Sequence, residues 1–589
     1  MAVPPRGAGA LFPPHVLREY ALIADGERGA LIGPRGDIAW LCVPTWHDGA
    51  VFSVLLGGPG VYALAPTEDR FTWGGFYEQG TLIWRSRWVT TTGIIECREA
   101  LAFPADPHTA VLLRRILAVD GDAQVAVGLD VAADFGAHPM QQSGHRDGIR
   151  TLRAGALRLR FSGAPAARVR HGRLEAVLDV PAGHHHDLVL ELGDRTLPRE
   201  LPDPDRLWEH TEHAWHTAIP QIDGSLADRD AQHAYAVLRG LTSNTGGMVA
   251  AATTALPERA EQGRNYDYRY CWIRDQCYAG QAVATAGPHP LLDDAVAFVS
   301  GRLLADGPGL KPAYTVGGGR VPDETVLDLP GYPGADPRTG NWVNDQFQLD
   351  SVGEALLLLA AADRHDRLDR PHWKAAEIAV SAIEQRWREP DAGIWELDNR
   401  HWAHSRLICA AGLRAIAAAA PTSQAAHWSR LADLLVTETA RGCLHRTGRW
   451  QRTPDDDRVD AALLLPAIRG ALSAADPRTA LTLAAVRSEL GRDGYVYRFR
   501  QDERPLAEAE GAFLLCGFIM ALAEHQQGHQ IDAVRWFERN RAACGPPALL
   551  TEEFDVIEHQ LRGNLPQAFV HALLLESAHR LTRPWPSER

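Results

Sequence analysis

The first third of the chain alternates apolar and polar residues with the period of β-strands. In residues 157–161, two leucines and a phenylalanine fall on one face and two arginines on the other. Glycine, proline and aspartate interrupt such runs, as expected where antiparallel strands turn. The pattern predicts an antiparallel β-sandwich over residues 15–198. Its clearest strands are predicted at residues 110–119, 124–131, 157–161, 174–180 and 188–192.

A proline-rich stretch then predicts a linker over residues 199–225. From residue 226 the apolar period becomes helical. Twelve helices in succession predict six antiparallel pairs, an (α/α)6 barrel that forms a catalytic domain over residues 226–583. They are predicted at residues 226–242, 276–287, 292–305, 346–363, 372–388, 405–419, 423–441, 457–473, 476–487, 507–525, 531–544 and 566–582.

The loops between these helices alternate in length. Connections such as 288–291, 420–422 and 474–475 are short. In an up-and-down array alternate loops emerge at the same end, so one end carries nearly all the long loops, and long loops on a rigid scaffold usually carry function. The long connections are 243–275, 306–345, 389–404, 442–456, 488–506 and 545–565.

Composition narrows the classes of function. The net charge is −14 and no basic stripe is visible, which argues against nucleic-acid binding. The longest apolar run, residues 355–362, is too short to span a membrane. We see no secretory signal, and the eight cysteines form no C-x-x-C pair, so we expect reduced thiols and a cytoplasmic location. We predict no cofactor and no metal, and we interpret the histidines 184–186 as a turn.

The first long loop ends in a dense mixture of aromatic, arginine and aspartate residues at 264–275. Such a mixture suits sugar recognition, because rings stack on a pyranose face while charged groups hydrogen-bond to adjacent hydroxyls. A structural network of salt bridges beneath the mouth of the barrel is an equally good interpretation. Composition alone leaves both open.

Two glutamates on the same predicted end suit acid–base chemistry. Glu396 follows Trp395 in the third long loop, and apolar walls favour the protonated form that a general acid needs. Glu552 lies in the last long loop. Inverting glycoside hydrolysis uses two carboxyl groups about 6.5–9.5 Å apart, with a water between them. Because an isolated loop glutamate is usually only solvated, residue type alone does not single out this pair.

Four segments together resemble glycoside hydrolase family 15, which contains glucoamylases, glucodextranases and bacterial trehalases. They occur in the family's order, and the resemblance extends over nearly the whole chain. It implies a β-sandwich followed by an (α/α)6 barrel, and inverting, exo-acting hydrolysis that releases β-glucose from α-glucosides. The segments are residues 264–275, residues 393–396 with 404–406, residues 510–513, and Glu552 with residues 563–569.

The resemblance also implies roles for individual residues. Glu396 matches the family's general acid and Glu552 its general base, although the adjacent Glu553 is a competing choice. Arg274 and Asp275 match the pair that grips hydroxyls of the terminal glucose. Further sugar contacts are predicted at Trp395, Tyr266, Trp272 and Trp342.

The substrate class stays open within this resemblance. Trehalose is slightly favoured over short α-1,4 or α-1,6 gluco-oligosaccharides, and a small carbohydrate is the only partner predicted. A disaccharide phosphorylase is one alternative, although it would not need the carboxylate base. A sugar-binding protein without activity is another. The oligomeric state is not predicted.

Overall fold

The computed structural model describes residues 12–259, 264–501, 504–506, 508 and 510–585. Strands occupy the first part of the chain and helices most of the rest. The predicted order of a β-sandwich followed by a helical domain is confirmed. Among the described residues, no helix is long and apolar enough to cross a membrane.

The N-terminal domain consists of two antiparallel sheets of eight strands each. One sheet has the order β1-β2-β3-β5-β10-β17-β16, with β4 added beside β3, and the other has the order β13-β14-β15-β18-β9-β8-β7-β6. The strands are β1 Ala21–Ala24, β2 Gly29–Ile32, β3 Asp37–Cys42, β4 Ala50–Phe52, β5 Val61–Pro66, β6 Thr72–Tyr77, β7 Trp84–Val89, β8 Ile94–Leu101, β9 Thr109–Asp120, β10 Ala123–Asp130, β11 Ala132–Ala133, β12 His138–Pro139, β13 Gln141–Arg146, β14 Ile149–Ala154, β15 Leu157–Ser162, β16 Arg168–Arg170, β17 Arg173–Val180 and β18 His185–Gly193.

Alternation along the strands builds the core between the sheets. In β10, Val125, Val127 and Leu129 are buried while Gln124 is exposed, the period of two that predicted this strand. All five strands predicted with bounds are present, each with its ends within three residues of the expected position. The two sheets bury a shared cluster that includes Trp84, Trp88 and Phe161 in its centre.

The segment predicted as a linker contains a helix, α1 (Pro204–Ala218). Asp203 caps it by accepting from the backbone N–H of residue 205 at 3.0 Å, and Pro204 occupies the first turn. The helix packs on the sandwich, where the Trp215 ring stacks on Phe103 at 4.5 Å. The proline-rich composition predicted an irregular linker. However, a capping residue followed by proline, as in Asp203-Pro204, is also the pattern of a helix start.

The helical domain contains every predicted helix, with two differences. The predicted helix 457–473 is reduced to a 3-10 turn and a single helical turn, because Pro466 and Gly470 interrupt it. The helix predicted at 507–525 begins at Leu514, and some earlier residues lie outside the described ranges. The helices are α2 Asp228–Leu241, α3 Ile273–Ala286, α4 Pro290–Asp306, α5 Leu349–Asp363, α6 Arg370–Arg386, α7 Ala403–Ala417, α8 Thr422–Cys443, α9 Leu465–Ile468, α10 Pro477–Leu490, α11 Leu514–Gln526, α12 Gln530–Arg541 and α13 Ala568–Arg580.

The helices fall into two sets by burial. Helices α3, α5, α7, α11 and α13 are buried on nearly every side, whereas α4, α6, α8, α10 and α12 leave one side exposed. Helix α2 is exposed in its first turn and buried on nearly every side in its second half. Each member of the first set contacts the next, in the order α13–α3–α5–α7, and α11 contacts α13. The loops that precede the buried helices therefore converge at one end of the domain.

Short strands form within these loops and hold them together. Strand β25 (Ala512–Phe513) pairs with β26 (Glu553–Asp555), which pairs with β27 (Gln560–Arg562). This small sheet joins the loop before α11 to the loop before α13. The other pairs are β19 Cys271–Trp272 with β20 Ala313–Tyr314, β21 Thr325–Val326 with β22 Arg338–Thr339, and β23 Gly491–Arg492 with β24 Tyr495–Val496.

Candidate active site

A cavity of about 100 Å³ lies where the loops that precede the buried helices meet. Six of the eight residues predicted to act on substrate line it. Trp272 and Asp275 do not, but both contact residues of its wall. The lining comprises Glu258, Arg264, Tyr266, Tyr268, Arg274, Trp342, Ile394, Trp395, Glu396, Leu397, Arg498, Phe499, Gln501, Phe513, Glu552 and Phe569.

A tight turn presents Glu396 to this cavity. Glu396 has a φ of 55°, in the left-handed region that side chains other than glycine rarely adopt. The N–H of Leu397 donates to the carbonyl of residue 392 at 2.9 Å and closes the turn. Asp391 fixes its base, since Oδ1 accepts from the Gly393 N–H and the Ser405 hydroxyl, both at 2.8 Å. Backbone strain of this kind is concentrated at functional sites.

Residues around the start of α3 hold one oxygen of the Glu396 carboxyl group. Trp272 Nε1 donates to Glu396 Oε1 at 2.6 Å, and Arg274 donates to the same oxygen at 3.4 Å. Gln348 supports the arginine by accepting from its guanidinium at 3.0 Å. Among the described residues, no donor contacts Glu396 Oε2. One carboxyl oxygen is thus oriented by the protein, while the other remains available to a ligand.

The Trp395 ring forms part of the cavity wall. Its Nε1 donates to Asp460 at 2.9 Å, and the ring meets Phe513 edge to face at 5.2 Å. Asp460 is also paired with Arg452 at 3.4 Å. The indole orientation is therefore set by a buried hydrogen bond, which suits a rigid surface for a sugar ring.

Glu552 lies across the cavity as one member of a buried carboxyl pair. Its partner is Glu258, a second buried carboxyl group whose charge acts on Glu552. The Tyr268 hydroxyl lies 3.4 Å from Glu552 Oε1 and 3.5 Å from Glu258 Oε1. Burial raises the pKa of Glu552 well above its usual range, and the charge of Glu258 raises it further.

The adjacent Glu553 points away from the cavity. Its carboxyl group accepts from the Gly511 N–H at 2.8 Å and lies 3.3 Å from the Arg498 guanidinium. Arg498 also pairs with Glu510 at 2.7 Å and reaches Glu258 at 3.5 Å. Glu553 thus belongs to the charge network around Arg498, and Glu552 is the member of the two that lines the cavity.

Two aromatic rings connect the surroundings of Glu396 and Glu552. Tyr268, which contacts Glu552, meets the ring of Trp272 edge to face at 5.4 Å, and Trp272 contacts Glu396. Both carboxyl groups line the same cavity.

The run of residues 264–275 contains both a buried ion pair and residues that line the cavity. Asp267 and Arg269 are fully buried and paired at 2.7 Å, and Arg269 also donates to the carbonyl of Asp48 in the sandwich at 2.9 Å. This pair docks the loop onto the sandwich. Tyr266 and Arg274, in contrast, line the cavity. Structural and ligand-facing residues alternate within one segment.

The other predicted sugar contacts occupy different depths. Asp275 is buried behind Arg274, 3.7 Å from its guanidinium, and burial raises the pKa of Asp275 to about 7. Trp342 is 44% exposed and forms part of the rim. Tyr266 lies between them, its ring stacked 6.2 Å from that of Tyr268.

Three residues of the site were missed by sequence reasoning. Glu258 and Arg498 stand in segments that carried no recognised motif, and Tyr268 was noted only as part of an aromatic run. A glutamate beside a proline has no periodicity or spacing that distinguishes it from a solvated loop residue. Only its burial against Glu552 identifies it.

One group of side chains in the described residues has the spacing for a metal ion, and it lies in the sandwich. His185, Asp187 and Asp205 bring ligand atoms within 4.8 Å of one another. Both aspartates are paired with Arg115, which competes for the same oxygens. His185 and His186 begin strand β18, so the histidine run lies at the end of the turn predicted for it.

Comparison with known proteins identifies the class to which this arrangement belongs. The family model for glycosyl hydrolases family 15 matches residues 232–579, and a model described as trehalase-like, N-terminal matches residues 13–215. The protein is a glycoside hydrolase. The chain belongs to glycosyl hydrolases family 15.

Several relatives resemble the chain over most of its length. A trehalase from Mycobacterium tuberculosis is 31% identical and a trehalase from Mycolicibacterium smegmatis 30%, each over 97% of this chain and 90% or 92% of its own. An isomaltose glucohydrolase from Kribbella flavida is 28% identical over 46% of this chain and 69% of its own. A bacterial glucoamylase complexed with acarbose shares the fold, with a TM-score of 0.72 and 14% identity over 96% of this chain and 95% of that one.

Proposed function

We propose that the protein hydrolyses trehalose from a non-reducing end with inversion, with Glu396 as general acid and Glu552 as general base. The observation that carries the proposal is that these two carboxyl groups line one cavity. An inverting glycosidase needs this arrangement, because a water must fit between the base and the anomeric carbon.

Glu396 is suited to protonate the glycosidic oxygen. Trp272 and Arg274 hold Oε1, so a proton on Oε2 faces the ligand. In the proposed step this proton passes to the glycosidic oxygen as the bond to the anomeric carbon breaks. The leaving glucose departs as a neutral alcohol, and Glu396 becomes a carboxylate stabilised by the nearby guanidinium.

Glu552 is suited to activate water on the opposite face of the sugar. Its carboxylate removes one proton from the water while the water oxygen bonds to the anomeric carbon. Glu552 must lose its own proton before this step, because burial and the neighbouring Glu258 raise its pKa. After the step Glu552 releases to solvent the proton taken from water, and Glu396 takes up a proton from solvent. Both groups are then restored, and the overall reaction consumes one water.

The relatives favour trehalose within the family. Proteins named trehalase match nearly the whole chain, including the N-terminal sandwich, whereas the isomaltose glucohydrolase matches less than half of it. Arg274 with Asp275 and the Trp395 ring provide charged and stacking contacts for one glucose unit. Short α-1,4 and α-1,6 gluco-oligosaccharides are the alternative substrates to be tested.

We also propose a domain arrangement in which the buried and half-buried helices form the inner and outer rings of an (α/α)6 barrel over residues 226–583. The alternation of the two helix sets along the chain supports it. The sandwich occupies residues 15–198. Residues 199–225 join the two domains, with α1 packed against the sandwich.

NMR of the first products from trehalose, maltose and isomaltose tests the mechanism. Inversion at one anomeric carbon of trehalose gives equal initial amounts of α- and β-glucose, because the leaving glucose keeps its α configuration. Retention would give α-glucose alone. Glu396→Gln and Glu552→Gln are each expected to abolish the signal.

Matched controls lie on the same loops. Asp398→Asn and Glu558→Gln change exposed acids close to each candidate and are expected to keep full activity. Loss of activity in these controls, or activity retained in Glu396→Gln, would overturn the assignment. Glucose phosphate formed only when phosphate is added would instead support phosphorolysis.

A further inference from the structure

A second cavity lies at the opposite ends of the helices that surround the candidate active site. It has a volume of about 480 Å³, and its residues come from the last turns of α3, α5, α7, α11 and α13 and the segment after α13. Helices of this length span about 20 Å at a rise of 1.5 Å per residue. The two cavities are therefore separated by the length of the helices. The lining comprises Gln281, Ala284, Thr285, Leu357, Ala361, Arg364, Ala415, Ile468, Arg469, His525, His579, Arg580, Arg583, Pro584 and Trp585.

The charged groups that line this second cavity are all basic. Four arginines, at positions 364, 469, 580 and 583, contribute to its wall, and no aspartate or glutamate is among the described lining residues. Glu576 lies behind the wall and pairs with two of them: Arg469 Nη2 donates to it at 2.9 Å and Arg580 Nε at 2.7 Å. One buried carboxylate is thus set against four guanidinium groups.

Arg364 forms no hydrogen bond or ion pair with another described residue, whereas Arg367, three residues further on, pairs with Asp293 at 3.3 Å. The Arg364 side chain is open to solvent at the edge of the cavity. Partial burial and the like charges of Arg580 and Arg469 lower the pKa of Arg364, and the charge of Asp363 opposes them. Within the described residues, the exposed Arg583 guanidinium likewise has no carboxylate partner and donates to the carbonyl of Thr285 at 3.1 Å.

Helix dipoles explain part of this arrangement but not all of it. The carboxyl ends of five helices point at the second cavity, and their partial negative charge favours cations there. A dipole does not require several arginines to lie close enough to repel one another, however. Guanidinium groups gathered at a cavity whose described lining holds no carboxylate are characteristic of a site for an anion.

A buried histidine adds an independent sign of a ligand. His579 is 2% exposed and lines the second cavity, and neither ring nitrogen has a hydrogen-bond partner among the described residues. A buried polar group left without a partner is unfavourable, so a ligand or ordered water at this position would stabilise it. The opposite wall is apolar, formed by Leu357, Ala361 and Ile468, and the Trp585 ring lies 5.5 Å from the Arg580 guanidinium.

We propose that the second cavity binds a small phosphate-bearing molecule, with the phosphoryl group held by Arg364, Arg580 and Arg583. Arginine forks match phosphate oxygens, and His579 supplies a further polar contact. The volume and the apolar wall with Trp585 suit an organic body attached to the phosphate. Free phosphate and a phosphate ester share this chemistry and are distinguished by experiment.

Binding can be measured on the full chain by thermal unfolding and calorimetry. The probes are inorganic phosphate and glucose 6-phosphate, with glucose as the uncharged control and sodium chloride at matched ionic strength. Both phosphates are expected to raise the thermal midpoint more than chloride does. Because Arg364 has no partner, Arg364→Gln is expected to fold normally, keep glycosidase activity and weaken phosphate binding at least tenfold.

Arg367→Gln is the matched control, since it removes a nearby arginine whose charge is already paired. It is expected to bind both phosphates like the parent. Equal binding by the parent and Arg364→Gln, or a stabilisation by phosphate no greater than that by chloride, would overturn the proposal. Binding lost in Glu396→Gln instead would place the phosphate in the catalytic cavity and also overturn it.

Substitution of Trp585 distinguishes free phosphate from a phosphate ester as the ligand. If a phosphate ester is the ligand, glucose 6-phosphate binds more tightly than phosphate, and Trp585→Leu weakens only the ester. If free phosphate is the ligand, the two probes bind alike and Trp585→Leu changes neither. Both outcomes support an anion site and assign its occupant.

Discussion

The two ends of the helical domain carry opposite chemistry on the same set of helices. At one end, loops before α3, α5, α7, α11 and α13 bring Glu258, Glu396 and Glu552 to a small cavity. At the other end, the last turns of these helices bring four arginines to a larger one. The first end is built from long loops and the second mainly from helix ends.

This difference shows how an array of aligned helices polarises a domain. Amino ends favour negative charge and carboxyl ends favour positive charge. The charge distribution follows that preference at both ends, but the details differ. Burial and the charge of Glu258 raise the pKa of Glu552, whereas Arg469 and Arg580 lower the pKa of Glu576. Charges of one sign therefore meet at the acidic end, and opposite charges are paired at the basic end.

The largest expected effect is a loss of catalytic activity when a glutamate of the acidic end is replaced. Glu396→Gln and Glu552→Gln should each lower turnover of trehalose by about 10²–10⁴-fold, the usual contribution of general acid–base catalysis. Neither should change the response to phosphate. Parallel measurement of initial rates and phosphate binding checks this, and any variant that loses both would contradict the independence of the two ends.

At the basic end, the largest effect should be on stability. Glu576 is fully buried, and although burial alone raises its pKa, Arg469 and Arg580 lower the pKa to about 2. Glu576→Gln leaves buried cations unpaired and should cost about 3–5 kcal/mol in unfolding free energy. Thermal unfolding measures it. Glu377→Gln serves as the control, because it removes an exposed ion pair with Lys374. The thermal midpoint of this variant should hardly differ from that of the parent.

The sign of the pH dependence follows from the lowered pKa of Glu576. Its stabilising contribution, about 3 kcal/mol, is present above the pKa of the unfolded chain, about 4.5, and is lost as the pH falls towards 2. The parent and Glu576→Gln should therefore converge in stability between pH 4.5 and 2. A difference that stays constant across this range would count against the ion pair.

A smaller effect should sharpen the description of the acidic end. Since the raised pKa of Glu552 keeps it protonated at low pH, activity should rise as the pH passes through that pKa. Glu258→Gln removes the neighbouring charge, so the acidic limb of kcat/KM should move to lower pH by about one unit. The pH profile of kcat/KM measures this. If the acidic limb of Glu258→Gln lies where it does in the parent and in the control Glu558→Gln, Glu258 is not the cause of the raised pKa of Glu552.

The smallest effect is expected at the rim. Trp342 is exposed and lines the cavity, so Trp342→Ala should raise KM up to about tenfold through lost stacking and leave kcat and the thermal midpoint nearly unchanged. Michaelis kinetics on trehalose check this. A fall in kcat with unchanged KM would instead assign the ring a role in the transition state.

Periodicity predicted most of the fold. The sandwich strands and the order of the helices follow from local patterns, because burial of one strand face or one helix stripe leaves a direct trace in sequence. The predictions were less accurate around prolines, because proline can either begin a helix or interrupt one. Pro204 is the first residue of a helix within the expected linker, whereas Pro466 helps to reduce an expected helix to a single turn.

The site was predicted in part. The segments around Glu396, Glu552 and Arg274 could be assigned through the family resemblance, and the structure places these three side chains in one cavity. Glu258 and Arg498 could not be assigned, since nothing local marks them. That Glu552 lines the cavity while Glu553 pairs with Arg498 could be seen only in the structure, because both contacts are with residues distant in the chain.

The sequence alone determined the two domains, the succession of helices and the end that carries the long loops, because each depends on patterns a few residues long. Only the tertiary structure decided which acids lie beside each other at the first cavity and which arginines surround the second. Glu258 and Glu552 are 294 positions apart in the chain, and Arg364 and Arg583 are 219 apart. Contacts over such distances are set by the packing of helices, and electrostatic coupling depends on distance in space rather than along the chain.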